Sequence, residues 1–233
     1  TRGVALQAPR RREGFFSATL IWTVVPAFGA LPLYQIGVVE TGIDAWFEAV
    51  SGFTTTGATV IHQLDITEYS VLIWRALMQW LGGLATIVLV VVLLSYLGGG
   101  GMQFFRSAMP RGERTAMSVQ IVQTLKSIGG IYCLLTILCV LLLWLAGMTV
   151  FDSVAHAFST ISGGGFSTRD ASIGAFSSPL IELVMIIFML ASAVNFTLHW
   201  AVLHGRKIST YTDDVEIRVL TGMILMAGVT LTA

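Results

Sequence analysis

The sequence has few charged residues and few cysteines, and both shortages narrow what the chain can be. Only 11% of its 233 residues are charged, whereas 55% are hydrophobic. So little charge leaves too little polar surface to solvate a globule of this size, which excludes an ordinary water-soluble protein and predicts a chain that lies in lipid. Cys133 and Cys139 lie six residues apart in one apolar run, so they cannot pair within a helix and do not identify a redox compartment.

The sequence also lacks the residue groupings of an enzyme. A membrane-embedded transferase or protease needs a catalytic pair or a metal cluster at membrane depth. The candidate residues have no partner at a suitable spacing; they are His156, His199, Asp44 and Asp152. We therefore expect no enzymatic activity, no covalent cofactor and no nucleic-acid partner.

The sequence contains four long runs without charged residues. They cover residues 14–39, 76–105, 127–151 and 183–205. Each reaches the ~20 residues that a membrane-spanning helix needs. A further apolar run begins at Val219. The sequence therefore predicts an all-α, polytopic membrane protein.

One segment of the chain occurs twice at a constant offset of 108 residues. Residues 44–59 read DAWFEAVSGFTTTGAT, and residues 152–167 read DSVAHAFSTISGGGFS. The amphipathic first part of each copy would rise only ~15 Å as a helix, which is too short to cross a bilayer. Each copy then runs into a Thr/Ser/Gly turn and is flanked by apolar runs, an arrangement typical of a re-entrant pore loop.

The chemistry of the two turns favours a cation. Non-helical backbone survives at membrane depth only where it is buried in protein or lines a wet path. Carbonyls that face such a path can replace the hydration shell of a cation, and aiming them the same way favours positive φ at alternate residues. With Asp44 and Asp152 as the expected N-caps, the negative C-terminal end of each short helix would point at its turn. The Thr and Ser hydroxyls have an alternative role, bonding back to nearby backbone.

The distribution of charge predicts the orientation. In a five-helix zigzag, eleven of the thirteen basic residues fall on one side, which the positive-inside rule makes cytoplasmic. They are Arg2, Arg10, Arg11, Arg12, Arg106, Arg111, Arg114, Lys126, Arg206, Lys207 and Arg218. Both turns then lie in the outer half, beneath an acidic face that raises the local concentration of cations. Of the two basic residues on that face, we expect Arg75 to pair with Glu68 or to snorkel, and Arg169 to pair with a nearby carboxylate such as Asp170.

Several motifs in a fixed order resemble the Trk/Ktr potassium-uptake family, and within it the TrkH-type membrane subunit. They are FEAVSGFTTTGAT at 47–59, RALMQWLGG at 75–83, GGGMQFFR at 99–106, AFSTISGGGFST at 157–168 and VNFTLH at 194–199. The resemblance implies four linked copies of a helix, pore-helix, filter-loop, helix unit around one pore, as in potassium channels. The chain would be an internal piece that holds the second and third copies and the opening helix of the fourth.

By this resemblance the chain divides into two pore repeats and their connections. The segments are a cytoplasmic basic segment 1–14, a first repeat 15–105 with pore helix 44–53 and filter 54–59, a cytoplasmic linker 106–125, a second repeat 126–205 with pore helix 152–161 and filter 162–167, a cytoplasmic linker 206–218, and the start of a further transmembrane helix 219–233.

The resemblance also implies the site residues. The filter backbone, with potassium as the transported ion, would be Thr55, Thr56, Gly57, Gly163, Gly164 and Gly165. Residues 191–197 would form an intramembrane loop that gates the pore, with Ala191, Ser192 and Asn195 as the gate candidates. The alternative for Ser192 and Asn195 is hydrogen bonding between helices. This stretch contains no helix-breaking residue, so the sequence alone does not require a break.

The function that the resemblance implies is potassium uptake across the bacterial inner membrane by a multi-pass protein. The expected partners are membrane lipid, a second copy of the protein in a homodimer, and a cytoplasmic nucleotide-binding regulatory subunit. Two alternatives stay open: a Ktr-like sodium/potassium transporter, and a two-repeat chain that must dimerise to close a pore.

Overall fold

The computed structural model describes residues 11–97, 111–205 and 209–232, and the regular elements within these ranges are helical. This confirms the all-α fold. The other residues belong to the predicted basic segment, the end of the first repeat, the two linkers and the last position of the chain, so those predictions lie partly outside the described residues.

Nine α-helices follow one another along the described chain. They are α1 (Arg11–Ile36), α2 (Gly42–Phe53), α3 (Tyr69–Leu97), α4 (Arg111–Leu145), α5 (Val150–Ser162), α6 (Pro179–Ala193), α7 (Phe196–Leu203), α8 (Ser209–Asp213) and α9 (Val215–Thr232). Short 3-10 helices at Leu64–Ile66 and Ser172–Phe176 lie between α2 and α3 and between α5 and α6.

Three of the described helices, α1, α3 and α4, are long and apolar enough to cross a membrane. The predicted span at 183–205 is broken instead: α6 and α7 meet at a bend of 96°, and together they make a possible fourth span. The chain is therefore a multi-pass membrane protein in which one span is interrupted.

The two short helices α2 and α5 begin at threonines, which corrects the predicted N-caps Asp44 and Asp152. Thr41 Oγ1 accepts from the Asp44 N–H at 3.1 Å, and the Asp44 carboxylate accepts from the Thr41 hydroxyl at 2.7 Å. Thr149 and Asp152 repeat this exchange at 3.1 and 2.8 Å. Each threonine is thus the N-cap, and each aspartate is the third helical residue, whose free amide the threonine hydroxyl satisfies.

Helix α3 packs against both short helices and holds the two repeats together. A Cβ at Gly82 would overlap the backbone of Phe53 at the end of α2, and a Cβ at Gly83 would lie 2.8 Å from the Ser162 Cβ at the end of α5. Glycine at both positions lets α3 approach the point where each short helix ends. The backbone that follows each short helix is therefore fixed against α3.

Candidate functional site

The first turn begins where α2 ends, and its amides fold back onto that helix. Thr54, Thr55 and Thr56 donate their N–H groups to carbonyls of α2 at 2.8, 3.0 and 2.9 Å. The φ angle is 56° at Thr55 and 79° at Gly57. Positive φ at alternate residues is the arrangement expected where successive carbonyls share one direction.

The second turn has the same backbone pattern. Gly163 and Gly164 donate their N–H groups to carbonyls of α5 at 3.1 and 2.9 Å. The φ angle is 71° at Gly163 and 81° at Gly165. The 108-residue offset places Thr55 on Gly163 and Gly57 on Gly165, so the positive φ values occur at equivalent positions in both repeats.

The two turns lie directly against each other. A Cβ at Gly57 would overlap the carbonyl oxygen of Gly164 and would lie 3.8 Å from the Gly165 Cα. The structure thus brings together the predicted filter residues of the two repeats. Each turn also follows the C-terminal end of a short helix, which carries about half a negative charge and favours a cation beside it.

A buried ion pair lies behind the first turn. Glu48 of α2 and Arg75 of α3 are 0% and 1% exposed, and Arg75 Nε lies 2.7 Å from Glu48 Oε1. The Thr59 hydroxyl and the Val60 N–H both donate to the Glu48 carboxylate at 2.9 Å. The pair therefore holds the C-terminal end of the first turn, and the prediction that Arg75 snorkels or pairs with Glu68 is wrong.

Arg75 also reaches the second turn. Its Nη1 donates to the Ser167 carbonyl at 3.4 Å, and its Cζ lies 4.1 Å from the centre of the Phe166 ring. A guanidinium can make both contacts because it is planar, carries several donors and stacks on aromatic rings. One side chain of the first repeat therefore contacts both turns.

His156 of α5 stands where Glu48 stands in α2. Its Nδ1 lies 2.8 Å from the Asp152 carbonyl, and its Nε2 lies 3.0 Å from Ser167 Oγ. A carbonyl only accepts, so Nδ1 carries a proton. The histidine thus ties the second turn to its short helix, as the glutamate does in the first repeat.

Arg169 pairs with carboxylates, as predicted, but they belong to Asp152 and Asp65 and not to Asp170. Its Nη2 lies 3.2 Å from Asp152 Oδ2, and its Nη1 lies 3.7 Å from Asp65 Oδ1. Asp152 is already bound by the Thr168 hydroxyl at 2.6 Å. Because Asp152 is buried and Asp65 belongs to the first repeat, Arg169 gains a desolvated carboxylate and a contact between the repeats that its sequence neighbour does not offer.

The predicted gate region contains the break between α6 and α7. The break is stabilised from both sides: Asn195 Oδ1 accepts from the Thr197 N–H at 3.0 Å, and His199 Nε2 lies 2.8 Å from the Ala191 carbonyl. The other ring nitrogen of His199 lies 2.9 Å from the Tyr211 hydroxyl. These contacts stabilise a helix break that contains neither proline nor glycine.

A cavity of ≈ 320 Å³ connects the break to the turns. Its lining includes Thr55 and Gly163 near the N-terminal ends of the turns and Ser192, Ala193 and Phe196 at the break. Gate candidate Ser192 therefore lies on the cavity, whereas Ala191 and Asn195 act at the break as a carbonyl acceptor and a helix cap.

Neither Glu48 as the partner of Arg75 nor the contacts of His199 at the break follow from the sequence. The available indication was an arginine on an apolar helix, because ionisable residues at membrane depth have specific partners. Among residues 11–97, 111–205 and 209–232, no group of three or more His, Cys, Asp or Glu side chains could hold a metal ion. The oxygen atoms that residues 54–59 and 162–167 carry are backbone carbonyls and Thr or Ser hydroxyls.

Comparison with known proteins identifies the family to which the chain belongs. The family model described as "Cation transport protein" (TrkH) matches residues 4–231. The curated Trk system potassium uptake protein TrkH of Salmonella typhimurium is 45% identical over 218 residues, which are 93% of this chain and 45% of that protein. The Trk system potassium uptake protein TrkG of Escherichia coli is 38% identical over 94% of this chain and 46% of its own length.

A solved structure has the same architecture. The crystal structure of the potassium transporter TrkH from Vibrio parahaemolyticus superposes with a TM-score of 0.81 at 40% identity, and the match covers 97% of this chain and 45% of that one. The chain thus spans less than half the length of the relatives that it matches.

Proposed function

Because the chain belongs to the TrkH family of cation transport proteins, we propose that it forms two repeats of a potassium-uptake pore. One observation carries the proposal. Two turns with positive φ at equivalent positions follow the C-terminal ends of two short helices and lie so close together that no side chain fits between Gly57 and Gly164. Backbone in that arrangement suits a ring of carbonyls around a dehydrated cation.

The turns would act as the selectivity filter. An ion would leave its hydration shell for the carbonyls of Thr55, Thr56 and Gly57 in one repeat and of residues 163–165 in the other. The charge at the ends of α2 and α5 would stabilise it there. Potassium is proposed over sodium because the curated relatives are potassium uptake proteins.

The broken helix would act as the gate. The cavity of ≈ 320 Å³ joins the inner ends of the turns to Ser192 and Ala193. Straightening or tightening the bend at Asn195 would change the width of this cavity, so Ala191, Ser192 and Asn195 are proposed to control passage below the filter.

The complete pore would need four repeats. Two repeats occupy a chain that covers 45% of its relatives' length, which supports a full protein of twice this repeat number. We propose that it lies in a bacterial inner membrane, surrounded by lipid, as a homodimer controlled by a cytoplasmic nucleotide-binding subunit. The basic residues on the predicted cytoplasmic side would suit contact with such a subunit.

The test is growth of a potassium-uptake-deficient bacterium that carries the full-length gene at low external potassium. Wild type should restore growth, and Gly57→Asp or Gly165→Asp should abolish it, because each position has positive φ and an aspartate would place a side chain in the filter. Gly174→Asp is the matched control, since a Cβ there would meet no atom within 4 Å and its φ is not positive.

Membrane abundance of each variant is measured beside growth. Growth that persists with both Gly57→Asp and Gly165→Asp would refute the filter assignment. A wild-type protein that reaches the membrane without restoring growth would refute potassium uptake.

A further inference from the structure

Helix α3 presents a second polar side chain to the second turn, one helical turn after Arg75. Gln79 is 0% exposed, and its Oε1 accepts from the Phe166 N–H at 3.1 Å. Gln79 belongs to the first repeat and Phe166 to the second. Its position on the helix face of Arg75 follows from the spacing of four residues.

This hydrogen bond fixes the direction of one carbonyl. The Phe166 N–H and the Gly165 C=O belong to the same peptide group, and in a planar trans peptide these two groups point in opposite directions. With its N–H held by Gln79, the peptide must direct the Gly165 carbonyl away from α3. Gly165 has positive φ and is one of the proposed filter residues.

Gln79 also limits the position of Gly164. A Cβ at Gly164 would overlap the amide group of Gln79, so the side chain packs directly against that backbone. The turn therefore has a hydrogen bond at one residue and a steric stop two residues earlier. Together they leave the Gly165 peptide little freedom to rotate.

Gln79 acts at this place through its acceptor atom. Among the described residues, no group accepts a hydrogen bond from its buried Nε2. An apolar side chain of similar length would remove that unpaired donor but would leave the buried Phe166 N–H without its acceptor. The acceptor Oε1 is thus the feature that distinguishes glutamine here.

In the second repeat, the residues at the positions of Gln79 and Arg75 cannot support the first turn in the same way. The 108-residue offset places Gln79 on Ile187, an apolar residue that is 52% exposed. Arg75 likewise falls on Leu183, which is 53% exposed. This support of one turn by the neighbouring repeat therefore runs in one direction only between the two repeats.

We propose that Gln79 is a positioning residue that sets the ion preference of the second turn by holding the Gly165 carbonyl toward the ion path. The inference rests on the proposed function, since it assumes that the turns form a filter. A carbonyl that can rotate away gives an ion fewer fixed ligands, and the discrimination between potassium and sodium falls with it.

The experiment uses the full-length protein, purified and reconstituted into proteoliposomes. Uptake of rubidium, as a probe for potassium, and uptake of sodium are measured separately for wild type, Gln79→Met and Gln79→Asn. Methionine keeps the length and loses the acceptor, whereas asparagine keeps the amide and is too short to reach Phe166. Ile187→Met is the matched control.

Both Gln79 variants should lower the ratio of rubidium to sodium uptake roughly fivefold, the factor that corresponds to one typical hydrogen bond. Ile187→Met should keep the wild-type ratio. If methionine prevents insertion of the protein, the asparagine variant decides.

A fall in the uptake of both ions with an unchanged ratio would mean that Gln79 only stabilises the fold, and it would overturn the inference. Wild type that takes up neither ion would overturn the proposed function itself.

Discussion

Thr55 adopts a backbone conformation that its side chain disfavours. Its φ of 56° lies in the left-handed region, where the equivalent residue of the second repeat is Gly163. A residue with a Cβ pays about 1–2 kcal/mol to occupy that region. Such strain persists only where surrounding contacts fix the backbone, here the Thr55 N–H bond to the Gly52 carbonyl at 3.0 Å.

We expect Thr55→Gly to leave the free energy of unfolding within about 1 kcal/mol of wild type, because relief of the strain offsets the chain entropy that glycine adds. Thr56→Gly has no positive φ to relieve and removes the hydroxyl that lies 2.8 Å from Thr54 Oγ1, so it should destabilise by about 1–2 kcal/mol. Thermal unfolding of the purified full-length variants measures the difference. Equal losses for the two substitutions would contradict strain at Thr55.

Sequence predicted the glycines of the turns better than it predicted Thr55. Gly57, Gly163 and Gly165 have positive φ, as expected of glycines where carbonyls share one direction. A threonine in a sequence does not indicate a left-handed backbone. Only the alignment of Thr55 with Gly163 at the 108-residue offset does so. Whether these residues bind potassium stays a prediction.

At the scale of the helices, the Glu48–Arg75 pair joins α2 to α3. Both side chains are buried, and the carboxylate accepts from Arg75, Thr59 and Val60. Removal of one partner from such a pair leaves a charge without compensation, which costs far more than an exposed pair gains.

Glu48→Gln should therefore lower the free energy of unfolding by about 3–5 kcal/mol, since it leaves the Arg75 guanidinium buried without a counter-charge. Glu68→Gln is the control: Glu68 is the predicted partner, yet it is exposed and accepts instead from the Ser70 hydroxyl at 3.1 Å. Its effect should stay within about 0.5 kcal/mol. Detergent-solubilised protein is heated and the folded fraction counted by gel filtration; equal losses would refute the assignment of the pair.

Hydropathy predicts the long helices best. A sufficiently long uncharged run identifies a membrane-spanning helix without any knowledge of the residues that the helix contacts. The break between α6 and α7 depends instead on His199, whose contact with the Ala191 carbonyl is accompanied by a contact with Tyr211. Contacts between distant residues are not visible in hydropathy. The same holds for the pairing of Arg75.

At the scale of the whole molecule, the loops on the predicted outer face join the two repeats. The Leu64 N–H donates to Asp170 Oδ1 at 3.0 Å, and Arg169 lies 3.7 Å from Asp65. The hydrogen bond from Leu64, aided by Asp65 and Gln63, holds the pKa of Asp170 below its ordinary value of 3.8. The carboxylate is fully exposed, so the contact serves alignment more than stability.

This contact has a defined pH dependence. A lowered folded pKa means that the bond contributes above the ordinary value of 3.8 and is lost only as the pH falls through the lowered one. Between about pH 7 and pH 5, amide exchange at Leu64, corrected for its intrinsic rate, should stay equally protected. Asp170→Ala should remove that protection at every pH. Protection that disappears near pH 6 would show that another group controls the contact.

The sequence predicted the two repeats, but it did not predict that the contacts between them are asymmetric. The offset of 108 residues implied two equivalent units. Each unit has a long helix, a short helix, a turn and a further helix, which in the second unit is broken into α6 and α7. The offset did not imply that Arg75 and Gln79 serve the other unit, since Leu183 and Ile187 at the matching positions have no such chemistry.

Chain order places the supporting residues of helix α3 before the second turn. The ribosome makes Arg75 and Gln79 before the residues of the second turn, so the groups that receive Phe166 and Ser167 already exist when that turn is synthesised. The first repeat is thus a template for the second, and the reverse is not true of these contacts. A gene in which the two repeats were exchanged would deliver the second turn before the helix that supports it.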